Sequence, residues 1–361
     1  MVFACQLDSF QQSITSKVVS CSQGVKDNET FYEVICEDSI LFPEGGGQPW
    51  DTGFVNDIPV SQVLRKGDSA VIYLPKPVTV GGEVKQVINW ERRFDHMQQH
   101  SGQHLITAII NEEYKIDTTS WWLGEELSHI ELDTKQLTNE QITNIENLAN
   151  QKIIEQIPVT VKLYEKNSKE VENARTRGLP DDVTGPIRIV EIVGLESDLC
   201  CGTHVNNLGQ LQSIKLLYAE KGKKNKTNLF FLSGTRVLKY LSKCLETEQK
   251  LTKLLKCDPS SYADIISKLQ QNLKLTNKKL DNLFKEKAVE EAEKLKYLKP
   301  KPKYYTHYKN DANSDYVDCF WRTLRDNELL NETFFMLAAG ETNGYLLING
   351  NEDDIKTLAP Q

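Results

Sequence analysis

Hydrophobic and polar positions change their period several times along this chain. Up to about residue 90, short β-rich runs at 31–35, 71–74 and 78–80 alternate with Gly, Pro and Asp turns, the signature of a small β-barrel. A helix of about 18 residues is predicted from Asp95, which caps it with Gln98 in the capping-box position; Leu105, Ile106, Ile109 and Ile110 cover one side. Strands are predicted at 130–132, 159–163 and 187–193, with a helix from about 138 to 154, giving an α+β domain with a mostly antiparallel sheet. Beyond Arg236 two helices, 237–256 and 259–298, break at Asp258-Pro259, where Asp258 caps and Pro259 takes the first helical position. Ile266, Leu269, Leu273, Leu280 and Leu283 recur at heptad spacing with Thr276 filling a gap, so this part reads as a helical hairpin or short coiled coil. After Pro300 and Pro302 comes a small α/β piece, with paired strands at 334–339 and 345–348 around a glycine-flanked turn at 340–344. The chain therefore divides into 1–90, 91–236, 237–299 and 300–361.

Length and composition fit this division, since 361 residues support two or three domains with sizeable cores. No apolar run approaches the length of a membrane span, and the N-terminus has neither a secretory nor an Arg-rich targeting pattern. Eight cysteines without compact spacing suggest reduced thiols and a cytoplasmic protein. A formal charge of −8 argues against indiscriminate nucleic-acid binding, so an RNA partner would need local basic patches. Lys221, Lys223, Lys224 and Lys226 form one such loop; a second stretch runs from Lys294 to Lys303 beside Tyr297, Tyr304 and Tyr305. For any single lysine, a solvated face is the simpler explanation.

Chemistry concentrates in two places. His96, His100 and His104 lie on one predicted helical face, and Cys200-Cys201-Gly202-Thr203-His204 follows about a hundred residues later, so these segments hold four of the six histidines. Histidines four apart point two nitrogens at one spot, and a Cys/His pair from a distant segment completes the ligand count of a tetrahedral zinc site. A lone His-x-x-x-His is commonly no more than polar surface; the second cluster makes metal binding the better reading. His96 lies about 12 Å of helix rise from His104, too far for one ion, and is assigned to the helix surface. Either Cys200 or Cys201 is workable from spacing. Ser101 stands where a zinc protease would carry glutamate, which argues against a protease.

At this point a resemblance emerges. His100-Ser-Gly-Gln-His104 and Cys200-Cys-Gly-Thr-His204-Val205 resemble the paired zinc motifs of the alanyl-tRNA synthetase editing domain and its free-standing relatives, the AlaX proteins. The segment 41–53, with Gly45-Gly46-Gly47-Gln48, is similar to the family's glycine-rich loop. Weaker matches are Arg177-Gly178-Leu179-Pro180 leading into Ile187-Arg188-Ile189-Val190, and Phe231-Leu232-Ser233-Gly234-Thr235-Arg236. Thr118-Thr119-Ser120-Trp121 and the long C-terminal extension point to the larger, type II members.

The resemblance implies a threonyl/alanyl-tRNA synthetase-type second domain at 91–236, one Zn2+ per chain, and the ligands His100, His104, Cys200 and His204. Synthetases usually carry glycine where Cys201 stands; matching in order puts Cys200 in the ligand position. Implied too is hydrolysis of the ester that links serine, or glycine, to tRNA(Ala), with Gly46, Gly47 and Gln48 as pocket residues; from the residues themselves, Gln103 inside the first motif and the hydroxyls of Thr119 and Ser120 join them as pocket candidates. On residues alone the glycine run is a hairpin turn and Thr119-Ser120 are ordinary strand residues. The four lysines of the 221–226 loop are the candidate tRNA contacts, and the C-terminal helices allow a monomer or a homodimer. The alternative is a non-catalytic tRNA- or protein-binding factor that keeps the zinc fold; more remote is an unrelated amidohydrolase.

Overall fold

The computed structural model describes residues 2–26, 29–165, 168–173, 186–331, 333–341 and 343–358, so the Arg177–Pro180 motif expected from the sequence lies outside the described residues. These residues fall into two compact units, Met1–Leu245 and Glu246–Gln361. The architecture is mixed α+β, as the hydrophobic pattern predicts.

The first unit opens with a one-turn helix, α1 (Ala4–Leu7), and seven strands: β1 (Ser13–Lys26), β2 (Glu29–Cys36), β3 (Gly53–Val55), β4 (Ile58–Pro59), β5 (Gln62–Lys66), β6 (Ser69–Leu74) and β7 (Glu83–Ile88). They form one sheet in the order β4-β3-β7-β1-β2-β6-β5. Strand β1 is long because it serves both halves: Ser13–Lys17 pair with β7, and Val18–Lys26 pair with β2 after a register shift at Val18/Ser20. An extra residue in one strand bends and twists it. The sheet thus wraps one core of Val18, Val34, Val63, Ile72 and Val84, filled by Phe3 and Phe42.

The expected barrel is corrected to an open sheet. No strand pairing joins β4 to β5 among the described residues, and β4 ends at Pro59, which has no N–H to continue a ladder. The run at 78–80 is not a strand either; Val80 is exposed at a turn that Gly81 makes with a positive φ.

Helix α2 (Trp90–Tyr114) follows, longer than predicted. Its N-cap is Asn89, whose side chain accepts from the Arg92 N–H, not Asp95, whose carboxylate pairs with Arg236 at 2.6 Å. Every residue from His96 to Ile110 is buried. Against this helix lies an antiparallel sheet of β8 (Thr118–Leu123), β9 (Ser128–Leu132), β13 (Ile214–Lys221) and β14 (Thr227–Ser233), in the order β13-β14-β9-β8. Helix α3 (Asn139–Ile154), with a Thr138/Gln141 capping box, packs beside it. Strands β10 (Val159–Tyr164), β11 (Ile187–Ile192) and β12 (Glu196–Leu199) form a second antiparallel sheet; the short helix α4 (Lys169–Asn173) lies between the first two in sequence.

Helix α5 (Thr235–Leu255) crosses the division between the units. In the second unit α6 (Tyr262–Lys294) packs its C-terminal part, through Ala288 and Ala292, on Tyr316, Val317 and Phe320 of α7 (Ser314–Asp326). A turn at Pro259–Ser261 precedes α6, and the Asp258 side chain makes no cap bond there. Strand β15 (Tyr304–Lys309) runs parallel to β16 (Phe334–Gly340), which pairs antiparallel with β17 (Gly344–Asn349); α8 (Glu352–Leu358) follows. The heptad residues of α6 from Ile266 to Leu283 remain substantially exposed.

One buried ion pair ties α2 to the N-terminal sheet. Arg93 and Asp51, both fully buried, meet through two guanidinium nitrogens, and Arg93 also donates to Ser9 O at 2.9 Å and Ile40 O at 2.6 Å. Asp51 Oδ2 in turn accepts from the Phe42 N–H at 2.8 Å. Removing one member of such a pair strands a charge in the interior. Asp51→Ala should therefore cost about 3–5 kcal/mol of stability, read from the midpoint of a urea unfolding curve; a loss near zero would contradict this role.

Candidate metal centre

Four side chains from two separate segments meet at α2. His100 and His104 project from consecutive turns of the helix, while Cys200 and His204 come from the loop after β12. One ligand atom of each lies within 4.8 Å of the others. Cys200 Sγ is 3.4 Å from His100 Nε2 and 3.2 Å from His204 Nε2.

The opposite ring nitrogens explain this orientation. His100 Nδ1 lies 3.0 Å from Gln48 Oε1, which also accepts the Thr203 N–H at 2.9 Å. Gln48 Nε2 donates to Thr203 Oγ1, fixing which amide atom faces the imidazole. An amide oxygen only accepts, so His100 carries its proton on Nδ1 and presents a lone pair on Nε2. Asp198 accepts the Nδ1 proton of His104 at 2.7 Å and so orients that ring. Ser101 Oγ, 3.0 Å from His204 Nδ1, holds the third ring and accepts the Val205 N–H. With all three rings held from behind, their Nε2 atoms turn toward the Cys200 sulfur.

Charge follows geometry. Burial alone would raise the Cys200 thiol, yet the three imidazoles facing it hold it well below the usual thiol range. Burial pushes His204 down to about 3, while for His104 the Cys200 thiolate and Asp198 outweigh burial and lift it to about 10. His104 Nε2 is buried with no hydrogen-bond partner, a costly orphan unless something binds there. One thiolate and three Nε2 atoms form a borderline-soft donor set that suits a divalent metal of the zinc type. The cluster can hold such an ion.

Spacing left two cysteines open, and packing separates them. A Cβ on Gly46 would stand 2.9 Å from Cys201 Sγ, so Cys201 points at the glycine loop. Burial and the adjacent thiolate push its own thiol up to about 11. Gly202 passes so close to His100 that a Cβ there would meet the ring at 2.2 Å. His96, expected on the surface, is instead buried, and burial pushes it down to about 3; it is not one of the four.

Other expected site residues scatter. Gly46 and Gly47 have positive φ, and Trp121 Nε1 donates to Gly46 O at 3.1 Å. Gln103 is buried and donates to Thr107 Oγ1, leaving its Oε1 without a partner. Thr119 instead turns to the Glu131 carboxylate, which also receives Lys226 Nζ at 2.9 Å, and Ser120 is exposed. Lys221, Lys223 and Lys224 are exposed on the β13–β14 hairpin.

Several supporting residues were missed. Asp198 was legible only as an acid two places before Cys200. Arg188 stood in the weakly matched Ile187–Val190 run with no role assigned, and Gln6 and Ser9 gave no signal, because their role is contact over long sequence distance. Gln6 Nε2 donates to Cys201 O, Ser9 Oγ accepts the His204 N–H, and Arg188 bridges Gln6 O and Cys200 O.

These contacts make the two cysteines experimentally separable. Purified Cys200→Ser should lose most of its bound metal by elemental analysis, whereas Cys201→Ser should keep wild-type stoichiometry. Asp198→Asn should weaken metal affinity about 10–100-fold. Equal loss from both cysteine variants would contradict the assignment.

Residues 187–232 match the family described as the threonyl and alanyl tRNA synthetase second additional domain. The match covers β11 through most of β14 and contains Cys200 and His204. Along its whole length the chain is 42% identical to the alanyl-tRNA editing protein Aarsd1-A of Xenopus laevis, over 89% of that protein. It is 43% identical to the alanyl-tRNA editing protein Aarsd1 of Mus musculus, again over 89% of that protein. The archaeal AlaX-L of Pyrococcus horikoshii is 28% identical over 77% of the chain and 68% of its own length. Motifs, site geometry and full-length similarity agree that the chain belongs to the alanyl-tRNA editing proteins of the Aarsd1/AlaX family.

Proposed function

We propose that this protein is an aminoacyl-tRNA deacylase that acts in trans on tRNA(Ala) mischarged with serine, and with glycine as a second substrate. The observation that carries the reading is the inward-facing cluster of Cys200 Sγ and the Nε2 atoms of His100, His104 and His204, the last but one a buried atom without a partner. We assign these four residues to one zinc ion. Bound there, zinc would supply the positive charge that polarises an ester carbonyl or a water molecule.

The chain's own residues do the rest. Gln48, Asp198 and Ser101 orient the imidazoles before substrate arrives, so no reorganisation is required at the moment of reaction. Gly46 and Gly47 keep the loop facing Cys201 and Trp121 free of side chains, which lets backbone approach a ligand closely. Gln103 offers a buried, unpartnered Oε1 as acceptor for a seryl hydroxyl. An aminoacyl ester is already activated, so positioning and charge suffice to hydrolyse it.

Membership of the family favours catalysis over mere binding. No helix among the described residues is long and apolar enough to cross a membrane, which accords with a substrate in solution. Incubation with Ser-tRNA(Ala) should release serine, with little loss of alanine from Ala-tRNA(Ala). A chelator, Cys200→Ala or His104→Ala should reduce the rate at least a hundredfold, about 2.7 kcal/mol. Tight tRNA binding with no release of serine would sink the deacylase reading.

A further inference from the structure

The four-stranded sheet has an unusual outer face. Its inner face buries Leu123, Ile130, Leu216, Leu229 and Phe231 against the helices. An antiparallel sheet with one covered face ordinarily carries polar residues on the other. Here the outer positions in register across all four strands are aromatic: Tyr218 opposite Phe230, Phe230 opposite His129, and His129 opposite Trp122. Adjacent ring centroids are 4.8, 5.2 and 5.8 Å apart, so the rings form one continuous row. At its two ends Trp122 is 58% and Tyr218 41% exposed. Four strands put the row at about 14 Å across.

The neighbouring outer row is polar: Glu220, Asn228, Glu131 and Ser120. Lys226 reaches into it and neutralises Glu131, and Lys221, Lys223 and Lys224 sit on the hairpin beyond. Against Glu131 and Glu220, these four lysines leave that end of the face positive. Strand β8 also joins the row to the glycine loop. Trp122 belongs to the outer row, while Trp121, the preceding residue, turns the other way and donates to Gly46 O.

We infer that this row is a stacking platform for two or three unpaired bases of the tRNA strand that carries the aminoacyl ester, with the hairpin lysines taking backbone phosphates. The inference rests on the deacylase reading for its choice of RNA. Rings in a row, tilted 31–46° from neighbour to neighbour, exposed at both ends and flanked by cations, offer π-faces to a single strand, because every base presents a π-face whatever its sequence. An exposed row of rings on a sheet has no comparable use for a folded duplex, whose bases are already stacked on one another.

Binding of uncharged tRNA, followed by fluorescence, tests this directly. Trp122→Ala and Tyr218→Ala should each raise Kd roughly tenfold, whereas Trp122→Phe should retain binding and Tyr345→Ala, at an exposed ring in the second unit, should not change it. In deacylation the loss should fall on KM rather than kcat. Unchanged Kd in both alanine variants overturns the platform, as does a loss confined to kcat, which would indicate a structural role. A shift of oligomeric state in Trp122→Ala with tRNA affinity intact also overturns it, because the row would then be a contact between copies. Should the wild-type protein bind tRNA without releasing serine, the deacylase reading fails, and the comparison of Kd values still decides the platform.

Discussion

Arg93 is the residue on which the rest of the site depends. A guanidinium with no solvent contact is tolerable only when fully paired, and here it joins Asp51, Ser9 O and Ile40 O at one point. Those partners belong to the loop after the glycine run, the segment after α1 and the loop after β2. The ion pair therefore locks α2 to the N-terminal sheet at a fixed height, and Gln48 arrives opposite His100. A slip of one residue in the helix would rotate His100 by about 100° and lose that contact.

The candidate metal centre inherits this order. Its specificity lies less in the four donors than in what stands behind them. Gln48, Asp198 and Ser101 each occupy the Nδ1 side of a ring, so the rings are oriented before any ion binds. The loop that carries Cys200 is pinned by Gln6 and Arg188 through its backbone carbonyls. Gly202 is indispensable to this arrangement, since even a methyl group would collide with the His100 ring. Gln48, expected in the substrate pocket, is fully buried and engaged with Thr203 and His100.

Local patterning reached a good part of the fold. Amphipathic periods in α2, α3 and the C-terminal helices were readable because helix contacts are short in sequence. The barrel was over-read: alternation shows that strands exist, but closure depends on whether the two end strands meet. Asp95 looked like a cap because the apolar period begins after it, whereas Asn89 starts the helix and Asp95 is engaged by Arg236 from another element. Thr119 and Ser120 were expected at the pocket; in β8 Thr119 donates to the Glu131 carboxylate and Ser120 is exposed, contacts that the strand pattern alone does not encode.

By itself the sequence determined the donor types, their number and their family resemblance. Helical spacing placed two imidazoles together, and the Cys/His segment matched them in kind. It also excluded His96 from sharing an ion with His104, although it misjudged where that ring lies. Spacing left Cys200 and Cys201 equivalent and the resemblance favoured Cys200; only the tertiary structure gave the physical reason, supplied Asp198 and Ser101 as ring partners, and aligned four aromatic side chains across the outer sheet. The reason is the same in each case. These relations join residues tens to hundreds of positions apart, and no local period encodes which side of a loop or strand will face which neighbour.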